Sequence, residues 1–120
     1  MKTLAFAALA LPLLLTAAPA AAARCDNAQD QNTMNRCAAE DYARADAVLN
    51  RTYQKVMRDL DDHSRALLRA SQREWIKFRD AECTYVNAAN EGGSIYPLVY
   101  NGCLTDMTKT RTRQLQQGQN

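Results

Sequence analysis

The sequence is poor in the residues that catalysis and metal binding most often use. Its one histidine, His63, lies by itself in a predicted turn and its thiols are expected to be oxidised, so we recognise no Ser-His-Asp or Cys-His set of a nucleophilic hydrolase. Its four cysteines form no Cys-x-x-Cys pair, which argues against a structural zinc site. We therefore expect a protein that is not an enzyme, with no catalytic residues, no metal and no cofactor.

Glycine and proline are absent between Arg24 and Glu91, and an excess of either charge is absent as well. The absence of glycine and proline leaves room for two long, uninterrupted helices.

The charges are nearly balanced. Without Lys2 the chain keeps 14 of its 15 basic residues, against 13 acidic ones. Such a balanced chain lacks the basic excess of a nucleic-acid-binding protein, so we expect no nucleic acid as a partner.

The first 23 residues have the pattern of a secretory signal peptide. Lys2 supplies the positive start, an apolar run extends over residues 4–15, and Ala21 and Ala23 fit the small-x-small rule for cleavage before Arg24. The apolar run is too short to span a bilayer. We therefore expect a periplasmic or secreted protein with no integral membrane segment after cleavage. Lipid attachment at Cys25 stays open, although Arg24 replaces the small residue that normally precedes a lipid-modified cysteine.

All four cysteines lie in residues 24–120, a length typical of one small domain. An even number of cysteines in a short exported chain predicts two disulfides. Of the three possible pairings we favour Cys25–Cys37 with Cys83–Cys103, because each closes a short loop. In the chain-entropy view each bridge contributes about 3 kcal/mol to stability.

The hydrophobic periodicity predicts an all-α fold, a small antiparallel three-helix bundle. We expect helices over residues 33–60, 65–89 and from 97 onward, with Asn32 or Thr33 capping the first and Asp62 or Ser64 the second. No alternating pattern that would indicate a strand is convincing.

The second helix carries two overlapping stripes. Spacings of three and four residues place Gln72, Trp75, Arg79 and Cys83 on one face, which combines an aromatic ring, a cation and a thiol. We expect the core-facing stripe to be a neighbouring set: Leu68, Ser71, Trp75, Phe78, Glu82 and Tyr85.

A short turn at Asp62-His63 makes the first two helices antiparallel neighbours. If the turn is centred there, the numbers of any two residues that face each other across the two helices add up to about 125. This register predicts an inter-helix polar network formed by Asp46, Asn50, Tyr53, Gln72, Trp75 and Arg79. The favoured interpretation is a structural network that fixes the helix register; the alternative is an exposed groove that recognises a ligand.

Several of these motifs together resemble one known family. Two of these motifs are spacings on the predicted helices, Asp46-x-x-Leu49-Asn50-x-x-Tyr53 and Gln72-x-x-Trp75-x-x-x-Arg79-x-x-x-Cys83. The others are Asn35-Arg36-Cys37, Gly92-Gly93-Ser94-Ile95, and Thr108 with Arg111. Together they are similar to the motifs of the LprI-like lysozyme-inhibitor family. The resemblance covers essentially all of residues 24–120. It implies a small exported helical domain that inhibits lysozyme. The named member of that family is a lipoprotein, and Arg24 is a departure from its lipid signal.

Under the inhibitor hypothesis the candidate partner loop is Gly92, Gly93, Ser94, Ile95 and Tyr96. Glycines let the backbone turn tightly and approach a partner closely, and tyrosine is favoured at binding hot spots. The alternative is a plain connector between helices. The acids Asp59, Asp61 and Asp62 either attract a cationic lysozyme or only cap and solvate a helix end.

We therefore expect a monomeric, non-catalytic protein-binding module with lysozyme as its partner. The alternative function is a periplasmic structural or envelope-stress accessory protein with a non-lysozyme partner. A small-molecule binder would need a pocket between the helices.

Overall fold

The computed structural model describes residues 25–118; the expected signal peptide of residues 1–23 lies outside them. Its elements are three α-helices and one short 3₁₀ helix, with no strand in the described range: α1 (Gln31–Arg58), α2 (Asp62–Val86), the 3₁₀ helix (Ala88–Asn90) and α3 (Tyr96–Gln117). The all-α, three-helix prediction is confirmed. No helix within residues 25–118 has an apolar stretch long enough to cross a membrane.

Aspartates determine where the first two helices begin. The Thr33 backbone N–H donates to Asp30 Oδ1 at 2.8 Å, and the Ser64 backbone N–H donates to Asp61 Oδ1 at 2.7 Å. Each carboxylate thus satisfies an amide that has no partner within the helix. We expected both caps later in the chain, and that expectation is wrong because an aspartate three residues before the amide reaches it directly.

The most extensive helix contact joins α1 and α3. The buried residues of α1 are Cys37, Ala38, Ala45, Leu49 and Val56. The buried residues of α3 are Leu104, Thr105, Thr108, Thr112 and Leu115. Small alanine and threonine side chains let the two backbones approach closely, since the interaxial distance depends on the side chains at the contact.

Larger side chains join all three helices near the α1–α2 turn. Leu49, Val56 and Leu115 form the buried cluster, and half-buried side chains pack against it: Tyr53, Leu60, Leu68 and Trp75. Burying an aliphatic side chain of this size contributes about 1.5–3 kcal/mol. This cluster is the main apolar contribution to the fold among the described residues.

The face that α2 buries differs from the expected apolar stripe. Cys83 is fully buried, and Gln72 and Arg79 are 9% and 7% exposed, whereas Phe78 and Tyr85 are 58% and 74% exposed. The expected core stripe of Phe78 and Tyr85 is therefore wrong. The physical reason is that Cys83 is tied to α3 by a disulfide, which fixes the rotation of α2 about its axis.

Both predicted disulfides are confirmed. Cys25–Cys37 and Cys83–Cys103 have Cα–Cα distances of 5.7 and 5.6 Å, and no free cysteine is present among residues 25–118. Two disulfides in so small a chain indicate an extracytoplasmic protein that folds under oxidising conditions. The sulfur of Cys25 is engaged in its bridge, so the same sulfur cannot carry a thioether-linked lipid in this form of the protein.

The contacts define two ends of the molecule. Cys83 meets Cys103, and Gln72 meets Arg111, so the contacts run in opposite order along α2 and α3. The start of α1 bonds to the loop before α3, through Asn35, while Val56 packs with Leu115 near the last turns of both helices. We call the first region the disulfide end and the second, with the α1–α2 turn, the turn end.

Thr108→Val should stabilise the protein by about 1 kcal/mol. The Thr108 hydroxyl is fully buried and has no hydrogen-bond partner among the described residues, and an unpaired buried hydroxyl is unfavourable. Urea unfolding gives the change in the free energy of unfolding. The matched control is Thr112→Val, which should not stabilise because the Thr112 hydroxyl donates to the Thr108 carbonyl. Equal stabilisation by both variants would contradict this assignment.

Asp61→Asn should lower stability near neutral pH but not in strong acid. The backbone N–H of Ser64, followed by its hydroxyl, holds the pKa of Asp61 below its ordinary value of 3.8. Stability from a lowered carboxyl pKa is present above the unfolded pKa and lost as pH falls through the folded one. The urea unfolding midpoints of the Asp61→Asn variant and the parent protein should therefore differ at about pH 6 and approach each other at about pH 2.5. The control Asp59→Asn removes a charge that takes no part in this cap, and a similar pH effect there would contradict the cap explanation.

Candidate functional site

The Gly92–Tyr96 loop lies at the disulfide end, between the 3₁₀ helix and α3. Gly92 has φ of +76°, the one positive φ in the described chain, and this conformation favours glycine. Gly92, Gly93 and Ser94 are exposed, and Ile95 is 41% exposed. Tyr96 is half-buried and stacks on Tyr100 with ring centroids 5.7 Å apart. The loop therefore exposes four residues, 92 to 95, next to the stacked rings of Tyr96 and Tyr100.

Asparagine side chains fix the path of this loop. Asn87 is completely buried; its Nδ2 donates to the Tyr96 carbonyl at 3.0 Å, and its Oδ1 accepts from Asn90 Nδ2 at 2.8 Å. From α1, Asn35 Nδ2 donates to the Ser94 carbonyl at 2.9 Å. Fixing a loop in one conformation before binding reduces the entropy lost on association.

The roles of Asn87 and Asn35 were missed in the sequence. Neither belongs to a periodic pattern, because an amide that bonds to loop carbonyls follows no helical spacing. The available signal was an asparagine at the end of a long helix just before a glycine-rich segment, a position where its side chain commonly bonds to nearby backbone.

Exposed apolar side chains accompany the loop at the same end. Tyr85 and Val86, in the last turn of α2, are 74% and 51% exposed, and Ile95 adds to them from the loop. A tyrosine and aliphatic residues next to a rigid loop are the kind of side chains that anchor protein interfaces. The disulfide end thus combines a shaped loop with apolar contact area.

Most of the expected inter-helix polar set borders a groove between α1 and α2. A cavity of about 270 Å³ is lined by five of the six residues: Asp46, Asn50, Tyr53, Gln72 and Arg79. Trp75 is not part of this lining. The structure therefore brings five of the six side chains around one concave space.

The individual partners within the set differ from the facing pairs that we expected. Asn50 Nδ2 donates to Asp46 Oδ2 at 3.3 Å within α1. Arg79 forms its ion pair with the adjacent Asp80, at 2.8 Å, and Gln72 Oε1 accepts from Arg111 of α3 at 3.0 Å. Gln72 bonds to α3 because that helix lies against α2, whereas Asp46, Asn50 and Arg79 have partners on their own helices.

Two guanidinium groups hold the ring of Trp75. The Arg79 guanidinium carbon lies 5.2 Å from the Trp75 ring centroid and 5.4 Å from that of Tyr42. The Arg111 guanidinium carbon lies 6.0 Å from the Trp75 ring. Desolvated contacts of this kind are worth more than exposed ones. Burial raises the pKa of the Tyr42 hydroxyl, although the charge of Arg79 opposes that shift.

Arg111 connects α3 to α2 through a fork of hydrogen bonds. Its Nε donates to Gln72 Oε1, and its Nη2 donates to Ser71 Oγ at 3.1 Å. Burial lowers the pKa of the Arg111 guanidinium, which nevertheless stays protonated at neutral pH. The sequence pattern placed Arg111 only on a weak helical stripe, and its partner Gln72 became evident from the packing of α3.

The two ends carry opposite charge, with the Tyr42–Arg79 contact as the boundary. On the disulfide side, residues 25–41 and 80–106 contain one basic residue, Arg36, and eight acids: Asp26, Asp30, Glu40, Asp41, Asp80, Glu82, Glu91 and Asp106. On the turn side, residues 42–79 and 107–118 contain twelve basic residues and five acids. The balanced net charge of the chain thus hides a strong separation of charge along the bundle.

Two acids of the α1–α2 turn have partners within α2. Asp61 caps α2, and Asp62 forms an ion pair with Arg65 at 3.2 Å. They lie at the turn end, away from the Gly92–Tyr96 loop. The acids that share an end of the molecule with the loop are instead those of residues 25–41 and 80–106.

The described residues contain one cluster of potential metal ligands, Cys25, Cys37 and Glu40. Its two sulfurs are joined in a disulfide and so cannot bind metal as thiolates. The remaining Glu40 carboxylate forms an ion pair with Arg36 at 3.6 Å. This cluster has the chemistry of a structural bridge.

Comparison with known proteins shows the family to which the chain belongs. The sequence model of the family described as "Lysozyme inhibitor LprI" matches residues 22–115. The chain is 38% identical to the uncharacterized protein R02472 of Rhizobium meliloti (strain 1021), over 92% of this chain and 93% of that protein. It is 33% identical to the uncharacterized protein YecT of Escherichia coli (strain K12), over 76% of this chain and 65% of that protein. No solved structure shows significant similarity to the chain.

Arg111→Lys should destabilise the protein by about 1–2 kcal/mol, because one ammonium cannot donate to Gln72 and Ser71 while also covering the Trp75 ring. Urea unfolding followed by the fluorescence of the single tryptophan measures both stability and the surroundings of the ring. The control Arg113→Lys changes an exposed arginine of the same helix that bonds only to Thr110. Equal effects of the two variants would show that the fork has no special role.

Proposed function

Because the chain belongs to the lysozyme inhibitor LprI family, we propose that it is a non-catalytic, periplasmic or secreted protein-binding module that inhibits lysozyme. The observation that supports this proposal is the Gly92–Tyr96 loop, which is exposed yet held by the amides of Asn87 and Asn35. A rigid, accessible loop between a disulfide and an acidic surface is suited to entering an enzyme cleft.

The chemistry of the loop suits the cleft of a glycosidase. Lysozyme acts through two carboxyl groups that flank the scissile bond. The segment from Gly92 to Tyr96 contains no acid, and the Ser94 hydroxyl is exposed and able to donate to a carboxylate. The neutral loop therefore avoids repulsion at the catalytic carboxyl groups.

The surroundings of the loop suit a basic rim around that cleft. In the sequence, Glu82 and Glu91 flank the exposed residues Tyr85 and Val86, and no basic residue occurs between residues 80 and 106. Complementary charge accelerates association and selects the orientation of approach. The acidic end would thus present its loop first to a cationic enzyme.

The first test is inhibition by the mature protein, residues 24–120 with both disulfides formed. We expect that a micromolar excess slows cell-wall lysis by at least one type of lysozyme. The measurement is the turbidity of a cell-wall suspension, with several lysozyme types titrated separately. Absence of inhibition for every type would reject the proposal. In that case, recovery of another periplasmic protein on immobilised mature protein would favour an envelope accessory function.

The second test adds bulk to the loop. Ser94→Trp should weaken inhibition by about tenfold or more, because a large side chain at the tip prevents close approach to the cleft while the Ser94 carbonyl keeps its bond from Asn35. The control Gln117→Trp adds the same bulk at the exposed end of α3, on the turn end. If both variants inhibit as well as the parent protein, the loop is not the contact surface.

A further inference from the structure

Besides Arg79, four of the twelve basic residues of the turn end line one concave surface. Arg69 and Arg73 line the 270 Å³ groove between α1 and α2, and Arg51 and Arg58 line an adjoining cavity of about 430 Å³. The two cavities share Asn50 and Gln54, so they form one continuous surface. We call it the arginine groove, defined by Arg51, Arg58, Arg69 and Arg73.

Within residues 25–118 these four arginines have no ion-pair or side-chain hydrogen-bond partner. The ion pairs within residues 25–118 use Arg36, Arg44, Arg65, Lys77 and Arg79, and none of the four arginines of the groove donates a side-chain hydrogen bond there. The acid on the groove wall, Asp46, already accepts from Asn50. Four guanidinium groups are therefore available to an external anion, and their planar forks match carboxylate or phosphate oxygens.

The shape of the groove favours an extended chain over a flat surface. Arg51 and Arg58 are seven residues apart on α1, a rise of about 10 Å, and Arg69 and Arg73 are four apart on α2, a rise of about 6 Å. The charges are thus spread along a recess between two helices. A planar membrane would meet the convex faces of those helices first, whereas a polymer strand can lie between them.

Neutral hydrogen-bonding groups fill the space between the charges. Asn50, Tyr53, Gln54 and Gln72 line the same surface. Amide N–H and phenol groups can donate to any anionic oxygen, but the amide carbonyl oxygens need donors, which sugar hydroxyls supply and a chain made only of phosphates does not. We propose that the arginine groove binds an acidic polysaccharide, a chain whose sugar hydroxyls alternate with carboxylates.

A second cavity on the turn side shows what distinguishes this groove. Between α1 and α3, Arg44, Lys109 and Arg113 line a space of about 350 Å³, but Arg44 is already paired there with Asp41. That lining contains no side-chain amide. It serves as a matched cationic control for the arginine groove.

The test uses polygalacturonate as the acidic glycan and the disulfide-bonded mature protein, with binding measured by isothermal titration calorimetry. Arg69→Gln with Arg73→Gln should weaken binding by about tenfold, because two fork-shaped contacts are lost. The control pair Lys109→Gln with Arg113→Gln removes the same charge from the other cavity and should change affinity by no more than about twofold. The binding should also weaken with salt.

Three probes define the outcomes that would overturn the proposal: neutral dextran, polyphosphate, and vesicles of phosphatidylcholine with phosphatidylglycerol. Binding to dextran, or equal binding to polyphosphate, would show that the alternation of charge and hydroxyl is not recognised. Binding to the vesicles without binding to polygalacturonate would identify a membrane surface instead. Equal loss in both variant pairs would show general charge attraction. Lysozyme inhibition by the Arg69→Gln/Arg73→Gln variant is measured separately, so failure here is distinguishable from failure of the inhibitor function.

Discussion

The contact on which the three helices converge is the ring of Trp75 between two guanidinium groups. Arg79 reaches from this ring to Tyr42 on α1, and Arg111 approaches it from α3. An arginine buried among aromatic rings keeps its charge solvated by their faces and by its ion pair with Asp80. The position of α2 depends on this arrangement, because most of its apolar side chains point outward.

The same contact separates two surfaces of opposite character. Beyond it toward the disulfides lie the acids and the Gly92–Tyr96 loop; beyond it toward the α1–α2 turn lie most of the arginines. An acidic end with a rigid loop suits a basic enzyme, and a basic groove at the opposite end suits an anionic chain. A small helical domain can thereby offer two independent binding surfaces without a second domain.

Much of the fold was predictable, whereas the detailed contacts were not. The absence of glycine and proline between Arg24 and Glu91 and the cysteine spacings predicted the helices and both disulfides. The prediction that the stripe containing Phe78 and Tyr85 faces the core was wrong. Apolar character alone does not reveal that the disulfide at Cys83 fixes the rotation of α2 about its axis. The asparagines that hold the loop and the Arg111–Gln72 bond were missed, since a polar partner can come from any part of the chain.

The sequence by itself determined the helical class, the cysteine pairing and the family, because these follow from local periodicity, short loop closure and characteristic spacings. Only the tertiary structure decided which side chains share a surface. The balanced net charge of the chain could not show that acids and arginines collect at opposite ends. Helix order and rotation bring together residues far apart in sequence, and charge at a surface depends on that arrangement rather than on composition.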